Sequence, residues 1–221
     1  MAVFLWVLAV CIVLLWLFLR PGRYGEAQKQ LVYGVNHAHR GLHTKDKTVP
    51  ENSLPAFRAA ADYNRAAHPG CARLMGIQME GPFFSEKKKG AQNGAYLHVP
   101  DAAMFRRVQE KSGGLFKLCD IAPELPGSME TIDELAGEVR ISIAHTTADY
   151  DTACEAFRHG ARQVTHLYNG MNECLHRAPG VIGAAFDNEN VAVELIADGV
   201  HVHPSVVRST FRLFENRVIL I

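Results

Sequence analysis

Three residues of types that bind metal ions follow separate apolar runs in the sequence. Glu80 comes after MGIQM, His145 after RISIA and His166 after RQVT. A carboxylate and two imidazoles leave a fourth coordination position for water, which is typical of a catalytic rather than a structural zinc site. A divalent ion lowers the pKa of its bound water toward neutrality, so that hydroxide becomes available to attack a carbonyl carbon. The three residues therefore indicate a hydrolytic metal site, if the fold brings them together.

Each of these residues, taken alone, is also consistent with a purely structural role. A glutamate at the end of a strand commonly caps the next turn, and a histidine in a loop is commonly just hydrogen-bonded there. Their shared position at the ends of three predicted strands favours the metal site. This hypothesis fails if the Glu80 side chain points away from the two imidazoles or if the imidazoles lie far apart.

Polar residues that suit an anionic small molecule follow in the same part of the chain. The Asn169-Gly170 step offers backbone N–H groups and an amide, and the guanidinium of Arg177 suits a phosphate or carboxylate. His201 follows another predicted strand and is placed to hydrogen-bond a substrate. The run Lys87 to Lys89 is interpreted as a solvated loop. We therefore expect an anionic substrate.

The elements that must position these residues alternate between strands and helices. Such alternation predicts an α/β fold with a parallel sheet and crossover helices. With one further βα unit, LVYGV and LPAFRAAADY, the sequence contains about seven predicted strands. This is short of a complete (β/α)8 barrel, which typically needs about 250 residues, so we expect an incomplete TIM-type barrel. The other predicted strands are RLMGIQME, LFKLCDIAPE, VRISIAH, RQVTH, AVELIAD and RVILI.

The beginning of the chain is apolar enough to cross a membrane. Residues Ala2 to Leu19 contain no charge, and as a helix they would span about 27 Å, close to the hydrocarbon core of a bilayer. A cleaved signal peptide is the alternative, but the basic start and small-residue cleavage site that it needs are not clear. Basic residues follow the segment and none precedes it. We therefore expect a single-pass membrane protein whose C-terminal part is cytoplasmic.

The overall composition excludes some classes of function. The 221 residues include 23 Lys and Arg against 23 Asp and Glu, so there is no electrostatic case for binding nucleic acid. With 48% apolar and 21% charged residues, the chain is globular rather than disordered. The five cysteines form no Cys-x-x-Cys pair, which argues against a disulfide framework or a cysteine zinc site and favours a reducing compartment.

Five segments match the motifs of one known family in order and spacing: MEGPFFSEKKKGAQN, SIAHTTADYDTACEAFRHGA, THLYNGMN, HRAPGVIGAA and ELIADGVHVHPSVVR. In these motifs, residues from about 66 to 221 resemble N-acetylglucosamine-6-phosphate deacetylase, of the amidohydrolase superfamily. The resemblance implies that Glu80, His145 and His166 bind the catalytic divalent metal, usually zinc or iron. It also implies contacts to the sugar phosphate from Ala91, Asn169, Gly170, Arg177 and His201.

The resemblance further implies a reaction, a pathway and a partner. The family hydrolyses the acetamide of N-acetylglucosamine 6-phosphate to glucosamine 6-phosphate and acetate in amino-sugar catabolism, and a homodimer is common. In the family, the strand that resembles RVILI continues into Ser-Asp or Thr-Asp, and this aspartate activates the water and protonates the leaving amine. This sequence stops at Ile221, so we assign no general base and expect turnover reduced by about 10²–10⁴-fold. Two smaller differences are Gln78, where His is common, and Gly170, where Ala is common.

The segment HRGLHTKDKTVPENSLPAFRAAADY is similar to a different family, the glycerophosphodiester phosphodiesterases, of which some bacterial members carry membrane helices. That resemblance implies a general acid–base role for His39 and a phosphate contact for Arg40. The Glu-x-Asp metal pair that should follow is missing. A rival hypothesis takes His37-x-His39 as the His-x-His that opens many amidohydrolase barrels, where it would supply a second metal site.

The two resemblances predict a chain of three parts. Residues 2–19 would form the transmembrane helix, residues 20–64 a phosphodiesterase-like first βα unit, and residues 65–221 a partial amidohydrolase barrel. The main hypothesis is a metal-dependent deacetylase. The alternatives are a phosphodiesterase that uses His39, and an inactive chimeric fragment with a junction near Asn64 to Pro69.

Overall fold

The computed structural model describes residues 75–221, within which strands and helices alternate as the sequence predicts. The strands are β1 (Ile77–Phe83), β2 (Phe116–Ile121), β3 (Arg140–Ile143), β4 (Gln163–Val164), β5 (Ala192–Leu195) and β6 (Val218–Leu220). The α-helices are α1 (Ala102–Ser112), α2 (Ser128–Leu135), α3 (Tyr150–His159), α4 (Gly180–Phe186) and α5 (Pro204–Phe214). Short 3-10 turns lie at Glu86–Lys88, Gly94–Tyr96 and Glu215–Arg217.

Several sequence predictions fall on residues outside this range. They are the transmembrane helix over residues 2–19, the βα unit over residues 20–64 with His39, and the division of the chain near residue 64. These stay predictions. Within residues 75–221, none of the helices combines the length and the apolar character that a membrane span requires.

The strands form one parallel sheet in which each strand pairs with the next one along the chain, in the order β1 to β6. The register of β2 with β3, for example, sets Leu118 opposite Arg140 and Ile121 opposite Ile143. Consecutive parallel strands joined by helices form the wall of a (β/α)8 barrel. The parallel α/β sheet predicted from the sequence is therefore confirmed, and it is consistent with a fragment of such a barrel.

Capping residues set the ends of two of the helices, α1 and α3. The Asp101 carboxylate accepts hydrogen bonds from the backbone N–H groups of Ala103 (2.8 Å) and Met104 (3.1 Å), which starts α1. The same helix ends at Gly113, whose φ of 71° lies in the left-handed region. Asp149 caps α3 in the same way through the N–H of Thr152, at 2.9 Å.

One helix, α4, was not predicted. Its sequence GVIGAAF contains two glycines and no polar residue, so it shows no amphipathic period. The structure gives the reason, since α4 is packed so closely that five of its seven residues are buried. A Cβ atom at Gly183 would lie 2.4 Å from the side chain of Pro179 and 3.6 Å from the ring of Tyr150 at the start of α3. Glycine at this position therefore leaves room for the Pro179 ring at the start of the same helix, while Tyr150 of α3 packs at ordinary contact distance.

Polar side chains on one face of the sheet connect strands that are not neighbours. The Gln78 amide on β1 donates to Asp120 on β2 (2.9 Å) and to the Thr165 hydroxyl just after β4 (3.2 Å). Thr165 also donates to Asp120 (3.0 Å) and lies 2.7 Å from the Ser142 hydroxyl on β3. Since β1 and β4 are not adjacent, these contacts cross the concave face of the curved sheet. The network ties together the strands that carry Glu80, His145 and His166.

Candidate metal centre

The structure brings Glu80, His145 and His166 into direct contact. Nε2 of His145 lies 3.1 Å from Oε1 of Glu80, and Nε2 of His166 lies 3.4 Å from the same oxygen. The two Nε2 atoms are 3.0 Å apart. Among the described residues, this is the one group of three or more His, Cys, Asp or Glu residues whose ligand atoms converge. The hypothesis that the three meet is supported by this geometry.

Each imidazole is oriented by its other ring nitrogen. Nδ1 of His145 lies 2.8 Å from the backbone oxygen of Lys88, and Nδ1 of His166 lies 3.0 Å from that of Asn169. A carbonyl oxygen only accepts hydrogen bonds, so each Nδ1 must carry the proton. In the neutral rings both Nε2 atoms therefore present lone pairs toward Glu80. Metal-binding histidines are typically held by such a hydrogen bond on the outer nitrogen.

The donor set fits a divalent cation. Three atoms that each offer a lone pair converge with no hydrogen-bond donor between them, an arrangement that is unfavourable without a positive charge. In a tetrahedral zinc site with bonds of about 2.0–2.1 Å, neighbouring ligand atoms are about 3.3 Å apart, and the three separations here are 3.0, 3.1 and 3.4 Å. An ion would thus need little movement of the side chains.

The pKa shifts of Glu80 and His166 also show that a positive charge is favourable at this position. Hydrogen bonds with His145 and His166 hold the pKa of the Glu80 carboxyl well below its usual range. Burial opposes protonation of His166, but the hydrogen bond with Glu80 and the charge of that carboxylate raise the pKa of His166 above its ordinary value. Without a metal ion, the Glu80 carboxylate therefore favours the protonated form of His166.

Both histidines adopt backbone conformations that are rare for residues other than glycine. The φ angle is 44° at His145 and 32° at His166, and such left-handed conformations cost about 1–2 kcal/mol. His145 lies two residues after the end of β3, and His166 lies two residues after the end of β4. From these positions both imidazoles reach Glu80 on β1. Phe84 packs against the His145 ring with centroids 4.2 Å apart.

The centre is buried on the histidine side and open on the glutamate side. The side chains of His145 and His166 are each 11% exposed, whereas that of Glu80 is 43% exposed. A small molecule in solvent can therefore approach the shared ligand position past Glu80.

The predicted substrate residues lie in loops at the same end of the sheet. Ala91 is exposed in the loop between β1 and α1, and Arg177 is exposed in the loop between β4 and α4. His201 is exposed after β5, with Nδ1 2.7 Å from Asp198, so that its Nε2 is directed elsewhere. These loops follow the carboxyl ends of their strands, where barrel enzymes bind substrates.

Asn169 and Gly170 lie against the two candidate ligand histidines themselves, a contact that the sequence does not predict. Asn169 accepts the hydrogen bond of His166 through its backbone oxygen, and its side-chain amide bonds back to the carbonyls of His166 and Leu167. A Cβ atom at Gly170 would lie 3.0 Å from Nδ1 of His145. The sequence offers one indication of this contact, because Asn169 follows His166 by only three positions.

Comparison with known proteins shows strong homology to one family of enzymes. An N-acetylglucosamine-6-phosphate deacetylase of Bacillus subtilis is 43% identical over 141 residues, which are 63% of this chain and 36% of that protein. The mouse enzyme of the same name is 32% identical over 203 residues, 88% of this chain and 48% of that protein. No family model matches the chain.

Solved structures agree with the sequence comparison. A crystal structure of N-acetyl-D-glucosamine-6-phosphate deacetylase from Mycobacterium smegmatis superimposes with a TM-score of 0.71 and 30% identity, over 86% of this chain and 57% of that one. A mutant of that enzyme, in complex with N-acetyl-D-glucosamine-6-phosphate, gives a TM-score of 0.72 with 28% identity, over 86% and 56% of the two chains. The chain spans about half the length, or less, of the curated relatives it matches.

The extent of these matches does not support the phosphodiesterase hypothesis. Residues 66–221 are 156 of 221 residues, about 71% of the chain, whereas the mouse match covers 88%. Similarity to the deacetylases therefore extends into the segment that was assigned to the phosphodiesterase pattern, and none of these relatives is a phosphodiesterase. His39 and the His37-x-His39 pair lie outside the described residues.

Proposed function

We propose that the chain carries the metal centre of an N-acetylglucosamine-6-phosphate deacetylase, which hydrolyses the acetamide of the amino-sugar phosphate to the free amine and acetate. The observation that carries the proposal is the convergence of Glu80, His145 and His166 at mutual distances of 3.0–3.4 Å. The strong homology to enzymes of that activity supports the same assignment.

Zinc is the ion that we propose, with iron as the alternative, because a carboxylate and two imidazoles suit both. The bound ion would polarise the acetyl carbonyl and activate water. The side chains of the three ligands have separate tasks. The two Nε2 atoms and Glu80 hold the ion, while the Nδ1 hydrogen bonds to Lys88 and Asn169 keep the imidazoles aimed at it.

Residues in the surrounding loops would hold and orient the sugar phosphate. The exposed Arg177 makes no hydrogen bond or ion pair among the described residues, so its guanidinium is available for a phosphate. Asp198 fixes the His201 ring through Nδ1 (2.7 Å), which leaves Nε2 for a hydrogen bond to the substrate. The Asn169-Gly170 turn lies against the two histidines, and Ala91 follows Gly90, where a Cβ atom would lie 3.5 Å from the His145 ring. Both would contact the sugar.

Metal content and acetate release test this proposal together. The purified chain is stripped with a chelator and reloaded with Zn²⁺. We expect one ion per chain and release of acetate from N-acetylglucosamine 6-phosphate that depends on the ion. His166→Ala should lower metal affinity by more than about 10-fold, since one of three protein ligands is lost, and should abolish the release. His98→Ala, at an exposed histidine in the loop after β1, is the matched control and should bind Zn²⁺ normally.

Two results would overturn the proposal at different levels. If His166→Ala and the original chain bind the metal ion equally well, the assignment of the metal centre is wrong. If the chain binds one metal ion but releases no acetate, either from N-acetylglucosamine 6-phosphate or from its galacto epimer, the metal centre stands and the proposed reaction is wrong.

A further inference from the structure

A glutamate outside the metal centre holds the loop that follows one of the metal ligands. Glu124 lies in the loop between β2 and α2 and is half-buried. Its carboxylate forms hydrogen bonds with the loop after β3. It accepts hydrogen bonds from the Thr147 N–H (2.6 Å), from the Thr147 hydroxyl (2.9 Å) and from the Thr146 hydroxyl. A charged acceptor with three donors is a strong and directional anchor.

The two threonines come directly after His145, so this anchor acts on the backbone that carries the imidazole. Thr146 donates its N–H to the Gly170 oxygen at 2.9 Å, and its hydroxyl accepts from the N–H of Ala148 at 2.8 Å. The amide of Asn172 donates to the Thr147 oxygen at 2.8 Å. The loop held by Glu124 is therefore bonded to the loop that follows His166.

The contacts form a continuous connection from Glu124 to both imidazoles. On one side Glu124 binds Thr146, the neighbour of His145. On the other side Thr146 binds Gly170, whose neighbour Asn169 accepts the Nδ1 proton of His166. Both ligand histidines have left-handed backbone conformations, and such conformations persist only where surrounding contacts hold them.

We propose that Glu124 is a positioning residue of the metal centre. It holds the loop after β3 so that Nε2 of His145 stays 3.0 Å from Nε2 of His166. The carboxylate itself forms no hydrogen bond or ion pair with Glu80, His145 or His166; its partners are Thr146 and Thr147. The inference rests on the proposed function only in assuming that the three ligands bind a metal ion.

The test compares metal binding by variants of Glu124 and of a control glutamate. Affinity for Zn²⁺ is measured by competition with a chromophoric chelator, and the geometry of the centre is measured by the visible absorption of bound Co²⁺. Glu124→Ala should weaken Zn²⁺ binding by about 10–100-fold, the usual effect of losing a residue that supports a ligand, and should change the Co²⁺ spectrum. Glu130→Ala, an exposed carboxylate on α2, should leave both unchanged.

A conservative variant separates positioning from general stability. Glu124→Gln keeps an oxygen for both Thr147 donors and presents an N–H group to the Thr146 hydroxyl, so it should restore most of the affinity and the Co²⁺ spectrum. Thr147→Ala removes one of the three bonds and should give an intermediate loss, and the double variant with Glu124→Ala should lose little more than Glu124→Ala alone. If Glu124→Ala does not fold, Glu124→Gln and Thr147→Ala carry the test.

The outcome that overturns this inference differs from the one that overturns the metal centre. Normal Zn²⁺ affinity and an unchanged Co²⁺ spectrum in Glu124→Ala and Thr147→Ala would show that Glu124 does not position the ligands. If, instead, the original chain binds no ion, or His166→Ala binds as well as the original chain, the metal centre itself is wrong.

Discussion

In the candidate metal centre, each imidazole forms a hydrogen bond through one ring nitrogen and directs the other toward the position that a metal ion would occupy. The supporting partners are backbone oxygens, of Lys88 for His145 and of Asn169 for His166. Backbone oxygens do not titrate, so the tautomer is independent of pH while the rings are neutral. Proton competition for the centre therefore acts at Nε2, where the metal would bind.

At the residue scale, we expect metal affinity to fall as the pH falls through the raised pKa of His166. The pKa of His166 is raised, so a proton occupies Nε2 up to a higher pH than in an ordinary histidine. The Glu80 carboxyl, whose pKa is lowered, stays ionised and adds no competition. Below the His166 pKa, Zn²⁺ affinity should fall by about 10-fold per pH unit, as measured by chelator competition at a series of pH values.

Glu80→Gln is the control for this pH dependence. It removes the carboxylate that raises the His166 pKa, so metal binding should be weaker at every pH, while the onset of proton competition should move to lower pH. An affinity that does not change with pH in the original chain would contradict the assignment of Nε2 as the ligand atom.

At the scale of the elements, the buried network across the sheet contains an acid. Asp120 on β2 is completely buried and accepts from Gln78 and Thr165. Burial is the main cause that raises its pKa well above the ordinary value, and the charges of Glu194 and Glu80 add to this effect, while the two hydrogen bonds oppose it. The folded protein therefore binds this proton more tightly than the unfolded chain does.

The sign of the resulting pH dependence follows from linkage. Between the unfolded pKa of about 3.9 and the raised folded pKa, the folded state holds more protons, so stability falls as the pH rises through this interval. Asp120→Asn has no such proton. Relative to the original chain, its free energy of unfolding should be unchanged near pH 4 and should improve as the pH rises toward neutrality, as measured by chemical denaturation.

A second asparagine variant controls for the loss of one negative charge. Asp151 on α3 is exposed, and Asp151→Asn should change stability by a small amount with no such trend. If the free energies of unfolding of Asp120→Asn and the original chain differ by the same amount at every pH, the raised pKa of Asp120 is contradicted.

At the scale of the whole described unit, the last strand has an apolar free edge. Among residues 75–221, β6 pairs only with β5, and its residues Ile219, Leu220 and the following Ile221 are 41%, 56% and 53% exposed. Exposed apolar edges invite pairing with other chains.

We expect a charge at this edge to reduce self-association. Leu220→Lys should lower the apparent mass at high protein concentration, measured by light scattering after size-exclusion chromatography, and leave metal content unchanged. Val99→Lys makes the same kind of change at an exposed loop residue and should have no such effect. Equal association of the two variants would show that the β6 edge is not responsible.

The sequence by itself predicted the alternation of strands and helices in residues 75–221 and the convergence of Glu80, His145 and His166. Apolar period is a local signal, and Glu80, His145 and His166 each follow an apolar run of the chain. Only the two histidines lie beyond the ends of their strands, because β1 continues past Glu80 to Phe83. The helix α4 was missed because its small residues serve close packing rather than an amphipathic face.

The tertiary structure decided the contacts between residues far apart in the chain. Only folding shows that Lys88 supports His145 over a separation of 57 residues, or that Glu124 anchors the loop after β3. The pairing of Gln78 with Asp120 likewise spans 42 residues. Such contacts depend on sheet register and loop conformation, which no local pattern of residue types encodes.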